Sequence, residues 1–439
     1  MKTNPLKNSR INIITFGCAK NTYDSEVLSG KLAKYGVKVV HEAPFQKNDV
    51  LVINTCGFIN DAKQESIDHI LEYVNLKKDG AIKELYVVGC LSERYKSELE
   101  KEIPDVTAFY GIDYTKDIFR QLNLEYKDNL VGERLLSTPS HYAYLKIADG
   151  CNHDCSFCAI PLIKGKHKSQ SIENLVIQTE RLADMGVKEL ILIAQDTTFY
   201  GMDLYKERKI STLINQLSEV KGIEWIRLQY AYPAGFPEDL LAVIRDNPKV
   251  CKYLDIPVQH ISDHMLKIMK RGLGKKQTKA LLNKIRKEIP GIAIRSTLIV
   301  GHPGETEKDF KELVDFVEKF RFERLGVFGY SLEENTDSYD IAGKVSEKVI
   351  RDRIETLMSL QSNISADLNR SRIGKTYKVI IDGKEGDHYL ARTEFDTPEV
   401  DNEVLIKTKN NKFKTGEFYK VKILDATAYD LFAESVLQK

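Results

Sequence analysis

No apolar run in this chain of 439 residues approaches the roughly 20 residues that a membrane-spanning helix needs. The first ten residues, Met1 to Arg10, hold no apolar stretch of the kind that marks a secretion signal, so a cytoplasmic location without membrane partners is expected. Neither sign of charge is in excess. Lys and Arg number 65 against 64 Asp and Glu, whereas a protein whose main partner is nucleic acid is usually more basic. The balance leaves RNA contact open but does not favour it. Cysteine is scarce: the seven are odd in number and mostly far apart, which argues against a disulfide framework and for thiols in a reducing compartment. What remains, 42% hydrophobic and 29% charged, is ordinary for a globular protein long enough for about three domains.

The densest chemistry lies in Cys151-Asn-His-Asp-Cys155-Ser-Phe-Cys158, spaced C-x3-C-x2-C with the aromatic Phe157 before the last thiol. Each thiolate can bind one iron of a [4Fe-4S] cube, and a cube has four irons. Three ligands therefore leave one iron open to a small molecule. Zinc, the other reading, usually takes a second C-x2-C or H-x3-5-H half, and none follows here. Three unrelated core cysteines are the remaining alternative.

The motif resembles the cluster loop of the radical S-adenosylmethionine (SAM) superfamily. That resemblance implies that the amine and carboxylate of SAM chelate the open iron, and that an electron from an external donor cleaves SAM to a 5'-deoxyadenosyl radical.

Residues 8 to 130 alternate strand and helix. Strands are expected at Arg10 to Phe16, Asp49 to Asn54 and Glu84 to Val88, with helices at Asp24 to Tyr35, Asn60 to Val74 and Leu91 to Leu99. Short apolar strands between helices argue an open parallel sheet covered on both faces. Cys18, Cys56 and Cys90 each follow one of these strands, with Gly17, Gly57 and Gly89 beside them. Ligands bind at the carboxyl edge of such sheets. Three thiols delivered to one edge suggest a second three-thiolate cluster, against the alternative of small buried hydrophobes.

Two such cysteine sets resemble the radical SAM methylthiotransferases, a family with tRNA-modifying members and members that modify a ribosomal protein. Gly17-Cys18-Ala19-Lys20-Asn21 with Asp24-Ser25-Glu26 is similar to the ribosomal-protein branch; the tRNA enzymes more often carry Met-Asn in place of Lys20-Asn21. Asn54-Thr55-Cys56 and Gly89-Cys90-Leu91 match both branches.

Residues 138 to 368 read as six βα units, with strands at Tyr142–Ala148, Glu189–Ala194, Glu224–Gln229, Tyr253–Pro257, Ala293–Val300 and Leu325–Tyr330. They suggest a parallel TIM-like barrel, full or partial, whose site lies at the strands' carboxyl ends. Candidates there are Gln195-Asp196-Thr197, Arg227, Tyr230, Tyr232-Pro233, Gln259-His260 and Arg295, with Gly301 in Ile299-Val-Gly-His-Pro-Gly-Glu305. His260 could equally be only a polar rim residue. The resemblance implies SAM contacts at Phe157, Gln195, Arg295 and Gly301, Arg295 pairing with the SAM carboxylate and the Gly301 segment packing on the adenine. Arg295 as a structural ion pair, and Gly301 in an ordinary βα turn before a helix capped by Thr306, are the alternatives. Cys251 reads as structural. Lys164 to Lys168 and Lys267 to Lys287 are basic patches, either steering anions or simply solvated.

Residues 370 to 439 turn to successive strands, at Thr376–Ile381, Tyr389–Thr393, Glu403–Thr408 and Tyr419–Asp425, with turns at Asp382-Gly383 and Asn410-Asn411. They suggest a small antiparallel β-barrel resembling the TRAM domain that ends methylthiotransferases. From Lys375 onward there are 11 basic and 12 acidic side chains. An RNA grip needs excess cations, so the acids at Glu394, Asp396, Glu399, Asp401 and Glu403 suggest a surface for a basic protein partner, or a solvated spacer.

The resemblance implies two [4Fe-4S] clusters, the one at Cys151, Cys155 and Cys158 generating the radical and the one at Cys18, Cys56 and Cys90 holding sulfur. The implied reaction inserts a methylthio group at the β-carbon of an aspartate in the S12 protein of the small ribosomal subunit, free or on the ribosome. A tRNA methylthiotransferase acting on a modified adenosine and a non-catalytic two-cluster carrier are the rival readings. Methylthio transfer requires the two cysteine-bearing edges to face one another.

Overall fold

The structure is a computed structural model that describes residues 10–127, 130–408 and 412–436. The turn expected at Asn410-Asn411 lies outside them.

The first sheet has five parallel strands: β1 (Ile11–Thr15), β2 (Val39–His41), β3 (Asp49–Thr55), β4 (Ile82–Gly89) and β5 (Ala108–Phe109), in the order β2-β1-β3-β4-β5. Every residue of β3 is buried, as a central strand covered on both faces requires. Helices α1 (Ala19–Lys34), α2 (Asn60–Lys78), α3 (Cys90–Glu102) and α4 (Thr115–Gln121) cover it, and the apolar side chains divide into two cores. Helix α1 begins five residues earlier than expected, with Cys18 itself at the N-cap.

The central sheet is all parallel. Strand β6 (Tyr142–Lys146) starts it, and a small β7 (Ala148–Asp149) leads into the cluster loop and α5 (Ile160–Lys164). After β8 (Lys168–Ser169), which pairs with β7, come α6 (Ile172–Asp184), β9 (Glu189–Ile193), α7 (Ile210–Ser218), β10 (Trp225–Leu228), α8 (Asp239–Asp246) and β11 (Val250–Asp255). Then follow α9 (Asp263–Ile268), α10 (Lys275–Glu288), β12 (Ala293–Val300), α11 (Glu307–Phe320), β13 (Arg324–Gly329) and α12 (Glu347–Arg370). Six strands pair in the order β13-β12-β11-β10-β9-β6, so the barrel is partial, with β6 and β13 at its edges.

The last unit is a closed barrel of β14 (Thr376–Glu385), β15 (His388–Thr393), β16 (Glu403–Lys407), β17 (Phe418–Ala426) and β18 (Asp430–Ser435). It is antiparallel except for the pair β16 and β18, which run parallel. Asp382-Gly383 is not a turn. It sits inside β14 at a bulge, and Asp382 bonds His141 (2.7 Å) and Arg392 (2.6 Å).

The acidic run of this last unit does not form an outward docking surface. The stretch Arg392–Asp401 plugs the side of the central sheet that the helices leave open. Arg392 donates to Glu189 (2.7 Å), which also accepts from the wholly buried Arg227 (2.7 Å). Arg324 pairs with the buried Asp396, and Lys252 N–H donates to Glu394 (3.1 Å). Asp401 accepts from Arg295 (2.6 Å) and Tyr253 (2.9 Å), and Tyr142 donates to Glu399 (3.1 Å). Arginines taken out of water need such partners. Of the five acids, Glu399 and Glu403 are exposed, and Glu403 lies outside this network.

Asp396→Ala leaves the Arg324 guanidinium buried and unpaired, and should cost about 3–5 kcal/mol. Glu403→Ala should stay within about 0.5 kcal/mol. Urea denaturation of both variants checks this, and equal losses would contradict the plug.

Candidate functional site

The loops after β1, β3 and β4 converge because glycine lets them touch. A Cβ on Gly17 (φ +97°) would stand 2.7 Å from Cys56 Cβ, and one on Gly57 would stand 2.6 Å from the Leu91 backbone. One on Gly89 (φ +99°) would stand 2.8 Å from the Thr55 carbonyl. Each glycine beside a cysteine is thus the contact point with the next cysteine's loop. Cys18 is exposed, Cys56 half-buried and Cys90 buried. Burial raises the Cys56 thiol and pushes Cys90 up to about 12, with the other two thiols of the trio adding to the shift at Cys90.

The second trio sits in the loop between β7 and α5. Gly150 (φ +72°) enters it, and Cys151 N–H donates to the Gly165 carbonyl (3.0 Å). Ser156 is buried and strapped on both sides, its N–H bonded to the Met269 carbonyl (3.2 Å) and its carbonyl to Ser338 N–H (2.8 Å). Arg271 donates to Cys155 Sγ (3.2 Å), and the Tyr232 hydroxyl stands 3.7 Å from the same sulfur. His153 stacks on Tyr232 at 3.6 Å between ring centres and bonds Asp196 (2.7 Å). Burial pushes Cys151 to about 11 and Cys158 to about 12.

Both donor sets suit iron–sulfur clusters. Each is three free thiols close enough to perturb one another, and in the loop one thiol already receives a cationic donor. Among the described residues, no group of His, Cys, Asp and Glu converges on a single metal ion. Thiolates that each bind a different iron of a cube stand further apart than ligands of one ion.

The two edges meet. Cys90, at the first residue of α3, packs in one cluster with Ala159 and Ile163, which lie just after Cys158. Lys146 bonds Asp24 and Asp149 (2.7 Å), and Lys164 lies 3.6 Å from Asp24 and 3.9 Å from Asp149. Lys164, read as part of a basic patch, is therefore buried in this junction.

Of the residues expected to touch SAM, Phe157 lies beside the trio, edge-on to His302 at 6.4 Å. Gln195 donates to Asp149 (3.3 Å), and its buried Oε1 has no partner among the described residues. Arg295 does not stand open to an anion: Asp401 already occupies its guanidinium, so the structural ion pair prevails. Gly301 is bound into the turn. Its N–H donates to Glu305, which also holds Arg353 (2.8 Å) and His260 (3.3 Å), and a Cβ there would collide with Ile350 of α12. His260 is accordingly a buried structural partner. Thr306 caps α11 in a capping box with Asp309, and Cys251 is buried in the inner layer with Trp225 and Tyr253. Sequence reasoning missed Arg271 because it lies within the basic run Lys267 to Lys287, where nothing marks one cation as inward-facing. It also passed over His153, although that residue lies inside the motif.

Residues 145–317 match the Radical SAM superfamily, residues 10–111 the family described as Uncharacterized protein family UPF0004, and residues 373–436 the TRAM domain. Relatives named ribosomal protein uS12 methylthiotransferase RimO align over nearly the whole chain. That of Flavobacterium psychrophilum is 53% identical over 434 residues, 99% of this chain and 100% of its own. That of Cytophaga hutchinsonii is 52% identical over 436 residues, again 99% and 100%. Among solved structures, the radical SAM methyltransferase TsrM from Kitasatospora setae has a TM-score of 0.56 at 13% identity, covering 76% of this chain and 77% of that one. The cobalamin-dependent radical enzyme OxsB has a TM-score of 0.51 at 15% identity, covering 81% of this chain and 56% of that one. These two likenesses concern the fold alone.

Burial disfavours thiolates, so thiols with raised pKa values react slowly until the pH climbs toward them. In cluster-free protein at pH 8, iodoacetamide should, among the six thiols of the two trios, label Cys18 first and Cys90 and Cys158 last. Raising the pH to 10 should speed the buried pair about tenfold per unit. Mass spectrometry of the labelled peptides reads the order; labelling of Cys90 as fast as Cys18 would contradict this arrangement.

Proposed function

The chain belongs to the RimO family of ribosomal protein uS12 methylthiotransferases, and from that membership we propose how its two cysteine trios divide the work. It is a radical SAM methylthiotransferase that acts on ribosomal protein S12. Cys151, Cys155 and Cys158 hold the cluster that engages SAM, and Cys18, Cys56 and Cys90 hold a second cluster that carries the sulfur. The target is the β-carbon of an aspartate. The observation that carries this reading is the meeting of the two trios, with Cys90 packed against the helix that follows Cys158. When bound, the clusters and SAM supply radical chemistry at an unactivated C–H bond, together with the sulfur and the methyl group that replace the hydrogen.

The chain's own residues position these parts. Arg271 and Tyr232 address the Cys155 sulfur and would temper its electron donation to iron. Met269 and Ser338 hold the loop between Cys155 and Cys158 from both sides. Lys146, Lys164, Asp24 and Asp149 bind the N-terminal sheet to the central one around the junction. Phe157 and Gln195 remain the positions best placed for SAM, and the free Gln195 Oε1 offers it an acceptor. We place the enzyme in the cytoplasm, with an external one-electron donor and three domains at residues 8–130, 138–368 and 370–439. The acidic run of the last domain gives no support to the choice of a protein substrate, since four of its five acids are bonded to the central sheet. That choice rests on the relatives.

Mass spectrometry of uS12 and of total tRNA nucleosides, from cells with and without the gene, tests the substrate. Loss of the methylthio group from the uS12 aspartate alone is expected; loss from tRNA alone would overturn the assignment. Cys155→Ala should abolish reductive SAM cleavage. Cys56→Ala should keep some cleavage and yield no methylthiolated product, and normal product from it would refute the sulfur-carrying role.

A further inference from the structure

The junction between the trios holds a lysine of another kind than Lys146 and Lys164, which face carboxylates. Lys20 lies on the first turn of α1, two residues after Cys18, and is half-buried. Among the described residues no carboxylate lies within ion-pair distance of it. Its ammonium stands instead 3.4 Å from the centre of the Tyr230 ring. Tyr230 belongs to the rim of the central sheet, and its backbone N–H donates to Asp255 (3.2 Å). Asp255, the acid of that rim whose charge bears on Lys20, is beyond ion-pair distance of it and is bonded to Tyr230, with Arg295 3.9 Å away. A cation from the N-terminal sheet therefore reaches the barrel mouth with a ring, and among the described residues no paired carboxylate, as its nearest partner.

A ring face returns about 0.5–2 kcal/mol to such a cation, which is less than a half-buried ammonium gains from a carboxylate in a charge-assisted hydrogen bond. The substrate brings one. In an aspartate, the carbon to be modified is bonded directly to the carboxylate carbon. A group that grips that carboxylate must lie beside both the sulfur-carrying trio and the rim where the radical is made. Lys20 touches the rim at Tyr230 and stands next to Cys18.

We propose that Lys20 binds the carboxylate of the substrate aspartate and is the residue that makes the enzyme select aspartate over its amide. This rests on the assignment of the two trios and of an aspartate substrate made above. Lysine suits the task as a compact point charge that asks for no bidentate geometry.

The test uses the reconstituted holoenzyme, purified uS12, and uS12 with its target aspartate changed to asparagine, with kcat/KM measured for both. Wild type should prefer the aspartate form by roughly 10- to 100-fold, the worth of one hydrogen bond to a charged group. Lys20→Met should bring the ratio near one by losing the aspartate form selectively, and Lys20→Arg should keep part of the preference. A merely structural lysine would lower both substrates together and leave the ratio standing, and that result overturns the inference. So does a wild-type enzyme that treats the two proteins alike, a comparison that needs no variant. If wild type places no methylthio group on uS12, the underlying substrate assignment falls, and this inference with it.

Discussion

A buried ion pair, Glu26 with Arg134, holds the two halves of the site in register. One Glu26 oxygen pairs with Arg134, and the other accepts from the Ser137 N–H (2.7 Å), the Ser137 hydroxyl (3.0 Å) and the Thr138 N–H (3.3 Å). Arg134 passes on to the Tyr144 carbonyl of β6 (2.6 Å). Stripping two charges of water repays only when the remaining lone pairs and protons are used, and here all but the Arg134 Nε–H are used, on Glu26 and on the chain entering the central sheet. Gly30 completes the clamp: a Cβ there would collide with the Arg134 backbone. Helix α1 thereby becomes a fixed wall of the central site. Ala19, Lys20, Tyr23, Asp24 and Val27, at helical spacing, all face that way. Tyr23 packs with Tyr142, Tyr144, Ile191 and Ile193, while its hydroxyl donates to Gln178 (2.7 Å).

The same wall explains why a short motif carries so much. In Asp24-Ser25-Glu26, Asp24 bonds Lys146, Ser25 bonds Thr15 (2.8 Å) and Asn54 (3.0 Å), and Glu26 makes the clamp. Ser25 ties the helix to its own sheet, and its two neighbours tie it to the next. Cys18, at the cap of that helix, inherits its position from all three. The C-terminal barrel works from the opposite side. Its carboxylates neutralise the arginines lining the inner face of the sheet and fill the barrel bottom with bonded charge.

Much of this was legible in the sequence, for reasons tied to particular residues. The runs Val50–Ile53 and Ala293–Val300 are apolar and β-rich enough to name their strands, and a parallel sheet then delivers the following cysteines to one edge. The glycines beside Cys18, Cys56 and Cys90 flagged close approach, although what approaches is the neighbouring loop. Local pattern failed elsewhere. Strand β18 reads Asp-Leu-Phe-Ala-Glu-Ser, with no β-branched residue, and forms through pairing on both sides. The start of α1 was missed because a cysteine stands where Ser, Thr, Asp or Asn usually caps. The acidic run from Glu394 to Glu403 was misjudged because a charge count does not say which face a charge is on. Its partners, among them Arg295, Arg324, Tyr253 and Tyr142, lie far off in the chain, on strands whose inner face only the folded sheet defines.

The rim itself shows where the fold accepts a cost. Tyr230 (φ 60°) and Gln259 (φ 68°) follow successive central strands in left-handed backbone that glycine would adopt without strain. Each such residue costs of order 1–3 kcal/mol and persists only where its surroundings dictate the conformation. They do so here. The Tyr230 carbonyl accepts from Thr197 N–H (3.1 Å) while its own N–H is held by Asp255. Gln259 is bonded on both sides to β12, through the Thr297 carbonyl (2.8 Å) and the Ile299 N–H (2.8 Å). A glycine at either place would relieve the backbone and remove a side chain from the mouth of the barrel. The ring of Tyr230 would no longer support Lys20, and the buried Gln259 Oε1, which has no partner among the described residues, would be lost as an acceptor. Strain is thus kept at two successive strand ends, both on the rim where a barrel of this kind carries its site.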